Sequence, residues 1–296
     1  MKKRIFAGIM AAVMVTGALS GCGKTVDKGV TIKVGSKDFT ENEIVAEVYA
    51  LALEDAGYTV DRTFDISSAL IHTSLINGEV ELYPEYTGTG LISVLKEDPI
   101  TDPEAVYKRV SEAYEEQFDV TWLDYSSAND GQGLVISTAK ADEYEIKTIS
   151  DLQQHATELQ FASQGEFDER EDGIPALEAT YGPFDWADSR IYENALKYEV
   201  LASGEADVAP AYTTEGRLTE EQFTLLEDDK QVWPPYNLAP VVRNETLDSN
   251  SDIADILNKV SAAFTTENIT ALNARVDIDG EEYAEVAAEF YNDNVK

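Results

Sequence analysis

Cysteine and histidine, the residue types most often found at catalytic and metal centres, are scarce in this 296-residue chain. A single cysteine, Cys22, excludes internal disulfides and cysteine-built metal clusters. The two histidines, His72 and His155, stand in unrelated contexts with no metal-ligand spacing around either, so no metal and no cofactor is expected. His72 reads as a surface or packing residue. No G-x-S-x-G elbow, P-loop or G-x-G-x-x-G run occurs. The 57 Asp and Glu residues supply carboxylates everywhere, yet nothing singles out a glycosidase-type pair. What stands out is tyrosine. "YPEYTGTG" (83–90) places two large rings in a stretch rich in turn residues. "APAYTTEG" (209–216) repeats the Pro-x-Tyr-Thr core. Tyr86 and Tyr212 are 126 residues apart, and at that same offset "ALIHTSLINGEVELYPEYTGTG" echoes "ALKYEVLASGEADVAPAYTTEG". An echo at so long a spacing indicates duplicated lobes rather than a solenoid. Tyr83 faces Ala209 in the echo, and so reads as strand-end packing.

The elements around these tyrosines alternate between strand and helix. "VTIKVGS" reads as a buried strand. A helix follows from Thr40, with Thr40 and Glu43 as a capping box, and ends at Gly57. "YTVDRTF" and "EVELY" read as strands around a short helix from Ser68 to Asn77. Asp102 and Pro103 mark the start of another helix. "GLVIST", "LQFAS", "EADVAP" and "APVVR" read as strands, "SDLQQHA" and "IPALEAT" as helices, and the last 45 residues mostly as helix. This is α/β organisation. Tyr86 and Tyr212 then fall on equivalent loops at strand carboxyl ends, where open α/β sheets bind ligands. Two such lobes face to face put the two rings across a cleft.

The ends and the charge bound the location. Lys2, Lys3 and Arg4 precede the apolar run "IFAGIMAAVMVTGA" and then "LSGC", the pattern of a secretory signal covering residues 1–21. The run is too short for a permanent span. A lone cysteine at the cleavage point resembles a bacterial lipobox, which implies a lipid on Cys22 and a membrane anchor outside the cytoplasm. Residues 22–29 form a polar tether. The net charge of −35 repels nucleic acid and anionic headgroups and suits a soluble extracytoplasmic protein.

Several separated motifs, in order, carry a family resemblance: "VGSKDFTENEIVAEVYALALE", "ELYPEYTGT", "EREDG", "AYTTEGR", "LEDDK" and "PPY". From about Thr31 to the C-terminus the chain resembles the osmoprotectant substrate-binding proteins of ABC importers, which take glycine betaine, carnitine or choline. The resemblance implies a two-lobed, periplasmic-binding-protein-like fold (type II) with the ligand cleft between lobes. It places Tyr86, Tyr212 and Tyr236 as walls of an aromatic cage. Lys37, Thr89 and Arg170 match the ligand-carboxylate site, and Glu166 another pocket position. The physics fits: a quaternary ammonium has no N–H to donate, but π faces hold it at about 0.5–2 kcal/mol each when desolvated. A carboxylate suits a bidentate guanidinium.

One departure is visible. Family members carry a further cage tyrosine in an "NNTYA"-like segment. Here the aligned "SSANDGQGLVI" puts Gln132 at that position, an amide with no π face. The cage is then three-sided, or closed by Tyr125 or another aromatic, and the ligand is larger or more polar than glycine betaine. Trp122, Trp186 and Trp233 read as core, Trp233 least clearly. The expected protein is a monomeric binding protein, not an enzyme. It would capture a zwitterionic or quaternary-amine solute and pass it to a separate ABC permease with its ATPase. Lobe one would span 30–131 plus 235–296, and lobe two 132–234. The alternatives are a receptor for another amino-acid-like or amine solute on the same scaffold and, more distantly, an extracellular hydrolase.

Overall fold

The structure is a computed structural model that describes residues 27–193 and 196–296. The signal segment, Cys22 and the start of the tether lie outside the described residues. Among the described residues ten strands form two five-stranded sheets. They are β1 (Thr31–Lys37), β2 (Thr59–Ile66), β3 (Leu82–Tyr86), β4 (Val120–Trp122), β5 (Gln132–Ser137), β6 (Gln160–Ser163), β7 (Asp188–Ile191), β8 (Val208–Tyr212), β9 (Phe223–Leu225) and β10 (Leu238–Arg243). The first sheet runs β2-β1-β3-β10-β4 and the second β7-β6-β8-β5-β9.

These two orders are the same order. In each sheet three parallel strands are followed by an antiparallel one, β10 against β3 and β5 against β8. Each antiparallel strand enters its sheet directly after the chain has left the other one. The two crossings, 123–131 and 226–237, touch through a bridge between Asn129 and Asn237. The echo at 126 residues is thus a repeated lobe, and the fold is the expected two-lobed α/β.

The central strands carry an unusual feature. Pro84 of β3 and Pro240 of β10 face each other, so neither offers an N–H at that rung. Their carbonyls are satisfied from the side: Asn42 Nδ2 donates to Pro84 O at 2.9 Å, and Leu123 N to Pro240 O at 2.9 Å. Tyr83 and Tyr86 flank Pro84 on this buried strand, not in a turn. The strand read as "EVELY" therefore begins later, at Leu82. Tyr83 donates its hydroxyl to Glu85 Oε2 at 2.8 Å and packs in the core, as the echo suggested.

Helix Thr40–Asp55 starts one residue earlier than a Thr40 cap would allow. Phe39 is its extended N-cap, and the Thr40 hydroxyl donates instead to Asp277 Oδ1 at 2.6 Å. The capping box is therefore absent, although Glu41 and Glu43 still favour the positive end of the helix. Asp102 does cap its helix, Pro103–Phe118, accepting from Ala105 N at 2.8 Å. After β10 come helices Asn244–Ser249, Ile253–Ser261, Thr266–Asp277 and Tyr283–Asn294, three of which pack along helix Thr40–Asp55. Helix Thr266–Asp277 also reaches the second lobe. There Gly216 lies so close that a Cβ would sit 2.5 Å from Ala274 N. Trp122 and Trp186 pack in the lobes, Trp186 stacked on Phe161 at 4.7 Å. Tyr125 packs on Tyr107, ring centroids 4.9 Å apart. His72 sits edge-on to Tyr114 and Phe118.

Candidate ligand cleft

Parallel strands end together, so β1 and β3 deliver Lys37 and Tyr86 to one edge of the first lobe, and β8 delivers Tyr212 to the matching edge of the second. The residue opposite Tyr86 in register is Leu238, and the residue opposite Tyr212 is Gln132. Gln132 and Leu238 are therefore equivalent positions, each the first residue of a returning strand.

Tyr86 is buried. Its ring lies 6.1 Å from that of Phe39, and its hydroxyl donates to Glu41 Oε1 at 2.9 Å. Lys37 Nζ is 5.0 Å from the ring centroid. That ammonium is ion-paired with the buried Glu85, which also accepts from Tyr83 and from the Tyr86 backbone N–H. A chain of bonds then runs to the second lobe. Asn273 Nδ2 donates to Glu41 Oε2 at 3.0 Å and to Thr214 O at 2.9 Å, and the Thr214 hydroxyl donates to Asp130 Oδ1 at 2.7 Å. Burial, and then mutual repulsion with Glu41, push the Asp130 carboxyl well above the usual carboxylate range. Burial likewise raises Glu41. Burial and these two acids hold the Tyr86 phenol firmly protonated.

A second cluster is centred on Asp172, which is buried. Arg170 grips it bidentately, Nε to Oδ1 and Nη2 to Oδ2, both at 2.8 Å. Tyr236 donates its hydroxyl to Oδ2 at 2.6 Å, and Gln132 Nε2 reaches the same oxygen at 3.5 Å. Trp233 Nε1 donates to the Asp172 carbonyl at 2.6 Å. Burial works against ionisation of Asp172. The Arg170 guanidinium overcomes it, with help from Tyr236, and keeps the carboxyl below the usual range. Tyr212 is half-buried beside this cluster. Its phenol and that of Tyr236 lie within electrostatic reach of Arg170.

The segment after Tyr86 joins the two clusters. The Thr87 hydroxyl donates to Pro235 O and accepts from Asn237 N, both at 3.0 Å, tying "YTGT" to "PPY". Gly88 lies flat under the Tyr236 ring, and a Cβ there would fall 2.6 Å from Tyr236 Cδ1. Thr89 is half-buried on this turn, its hydroxyl unbonded among the described residues.

The structure thus gathers Tyr236, Arg170 and Gln132 on one carboxylate, with Tyr212 beside them, and carries Tyr86 to Tyr236 through the Thr87–Gly88 turn. Lys37 and Arg170 sit in separate ion pairs, one with Glu85 and one with Asp172. The side chain of Glu166 lies outside the described residues. Sequence reasoning passed over Glu41, Asp130, Asp172 and Asn273. The first three lie inside stretches already quoted, "FTENE", "NDGQG" and "EREDG". Their role in the network depends on burial and on partners far along the chain, which a local pattern does not carry.

Two lobes of one topology, joined by paired crossings and presenting tyrosines at matched strand ends, define a two-lobed solute-binding protein. The chain belongs to the family described as the substrate binding domain of ABC-type glycine betaine transport systems, which it matches over residues 30–293. It is 32% identical to a glycine-betaine-binding protein of Pseudomonas aeruginosa over 89% of this chain and 88% of that one. It is 30% identical to the carnitine transport binding protein OpuCC of Listeria monocytogenes over 99% and 98% of the two chains. The crystal structure of a glycine betaine/carnitine/choline ABC transporter protein superposes with a TM-score of 0.75 at 29% identity, covering 88% of this chain and 97% of the other. The family is one of solute-binding proteins, not of enzymes.

Proposed function

We propose that this protein captures a quaternary-amine osmoprotectant, such as glycine betaine, carnitine, choline or a related betaine, and delivers it to an ABC permease. Tyr86, Tyr212 and Tyr236 wall the ammonium. Lys37, Thr89 and Arg170 receive the ligand's anionic end, with Gln132 and Glu166 completing the pocket. The lobes divide at the two crossings, 30–131 plus 235–296 against 132–234, and close over the ligand. No bond is made or broken. The chain acts as a monomer held at the outer membrane face by lipid on Cys22, with the permease and its ATPase as separate partners.

The observation that carries this reading is the Tyr236–Asp172–Arg170 cluster packed on Gly88. It sets a π face and a guanidinium side by side in buried surroundings, as a ligand with a quaternary nitrogen and an anionic end requires. Calorimetric titration with glycine betaine, carnitine, choline, proline betaine and neutral amino acids tests it. Binding of a quaternary amine, lost in Tyr86→Ala and Tyr212→Ala, supports the reading, and binding of neutral amino acids alone refutes it. The position of Gln132 favours a second reading on the same scaffold, a more polar amine solute read by the side-chain amide. Metabolic labelling with a fatty acid, compared between wild type and Cys22→Ser, tests the anchor.

A further inference from the structure

Two aromatic walls on different lobes grip one solute well only if their separation is held by a supporting shell. A bonded path between Tyr86 and the segment of Tyr212 runs through helix Thr266–Asp277. Tyr86 gives its hydroxyl to Glu41 Oε1 at 2.9 Å. Glu41 Oε2 accepts from Asn273 Nδ2 at 3.0 Å, and the same nitrogen donates to the Thr214 carbonyl at 2.9 Å. Thr214 stands two residues beyond Tyr212, the last residue of β8. Tyr86, Glu41, Asn273 and Thr214 are each at most 4% exposed, so water does not compete for these bonds.

Both neighbours of the Asn273 amide are acceptors, so it meets them only through its two N–H groups. Turned over, its oxygen would face a carboxylate and a carbonyl. This orientation has a visible cost, since Asn273 Oδ1 is buried with no hydrogen-bond partner among the described residues. An apolar side chain would avoid that cost, so what the amide supplies here is its pair of donors. Both ends of the path are firm. Gly216 of the second lobe lies against the helix backbone, where a Cβ would fall 2.5 Å from Ala274 N and 2.8 Å from the Asn273 carbonyl carbon. The Thr214 hydroxyl donates to Asp130 Oδ1 at 2.7 Å, and Thr213 Oγ1 accepts from Gly131 N at 2.8 Å. These bonds pin the segment after Tyr212 to the crossing that leads into Gln132.

We propose that Asn273 is a positioning residue for solute recognition: by bridging Glu41 and the Thr214 carbonyl it sets the orientation of the Tyr86 ring and its separation from Tyr212. This rests on the quaternary-amine reading above. Asn273 acts through Glu41, whose other oxygen holds the Tyr86 hydroxyl. Its influence therefore reaches the ring only while that hydroxyl is present.

The test is a double-mutant cycle on affinity, with the mature chain titrated calorimetrically against glycine betaine, carnitine and choline. It compares wild type, Asn273→Ala, Tyr86→Phe and the double variant, each checked for a cooperative melt. Asn273→Ala should weaken the best-bound solute by about tenfold in the wild-type background. In the Tyr86→Phe background, which keeps the π face, the same change should cost less than about twofold. Glu41→Gln leaves one oxygen for the Tyr86 hydroxyl and none for Asn273. It should reproduce the loss, add little to Asn273→Ala, and carry the same cycle if the alanine variant does not fold. Wild-type affinity in Asn273→Ala, or an equal loss in both backgrounds, makes Asn273 a packing residue and leaves the quaternary-amine reading standing. A wild type that binds none of the three solutes overturns both.

Discussion

Asp172 Oδ2 accepts from Tyr236 at 2.6 Å and from Arg170 at 2.8 Å, so one buried carboxylate orients both the Tyr236 ring and the Arg170 guanidinium. Tyr236→Phe keeps the ring but removes a hydrogen bond to an ionised acceptor, at a cost of about 1.5–3 kcal/mol. The expected outcome is a lower melting temperature with the aromatic surface intact. Asp172→Asn probes the charge. In the wild type the folded pKa of Asp172 lies below its unfolded value, so its stabilisation is full above the ordinary carboxylate range and is lost as pH falls through the folded value. Melting curves below about pH 4 should therefore drop less steeply for Asp172→Asn than for wild type. Parallel curves would show that Asp172 is not held ionised.

Asp130 has the opposite sign. Burial and the proximity of Glu41 raise its folded pKa, so the folded state binds a proton that the unfolded state has released. Its effect is to destabilise as pH rises above the ordinary carboxylate range, about pH 4. Asp130→Asn keeps a carbonyl oxygen for the Thr214 hydroxyl and removes the charge. The variant should melt higher than wild type at pH 7–8, with the difference shrinking toward pH 4. A variant that melts lower at pH 8 contradicts this account.

Gly88 is needed for contact, not for backbone freedom. Gly88→Ala drives a methyl group into the Tyr236 ring, and overpacking of this kind costs about 1–3 kcal/mol. Shifting that ring also disturbs the Asp172 cluster, so solute affinity should fall along with stability. Combining Gly88→Ala with Tyr236→Ala should cost less than the sum of the two, since the clash then has no second partner. Additive losses in a double-mutant cycle would place the damage elsewhere.

The repeat was the most legible feature. "YPEYTGTG" against "APAYTTEG" anticipated two lobes of one topology, and strand–helix alternation anticipated their class. The pairing that completes each sheet was not legible, because β10 and β5 join strands some 150 and 80 residues away by register rather than by local pattern. Pro84 hid the true extent of β3, since a proline in a strand-like run argues against a central position. Short β4, β7 and β9 carry too few residues to show a period. At the site, aromatic and cationic residues were readable by type. Asp172, Glu41, Asp130 and Asn273 were not, because in a chain with 57 acids a carboxylate gains meaning only from burial and partners.

Gln132 offers the sharpest test of which solute the cleft selects. It stands opposite Tyr212 in register, at the position equivalent to Leu238, and its amide turns toward Asp172. Gln132→Tyr restores a π face beside Tyr212 and Tyr236. A further aromatic contact with a quaternary ammonium contributes about 0.5–2 kcal/mol when desolvated, or roughly twofold to thirtyfold in affinity. The gain should fall on compact betaines such as glycine betaine, whose whole surface the added ring can cover. A larger or more polar solute loses the room and the amide that Gln132 gives it, so its affinity should fall. Isothermal titration of both proteins against one ligand panel reads the change directly. A reordered ranking places Gln132 in the pocket, whereas an unchanged ranking with normal stability removes it from the specificity-determining wall.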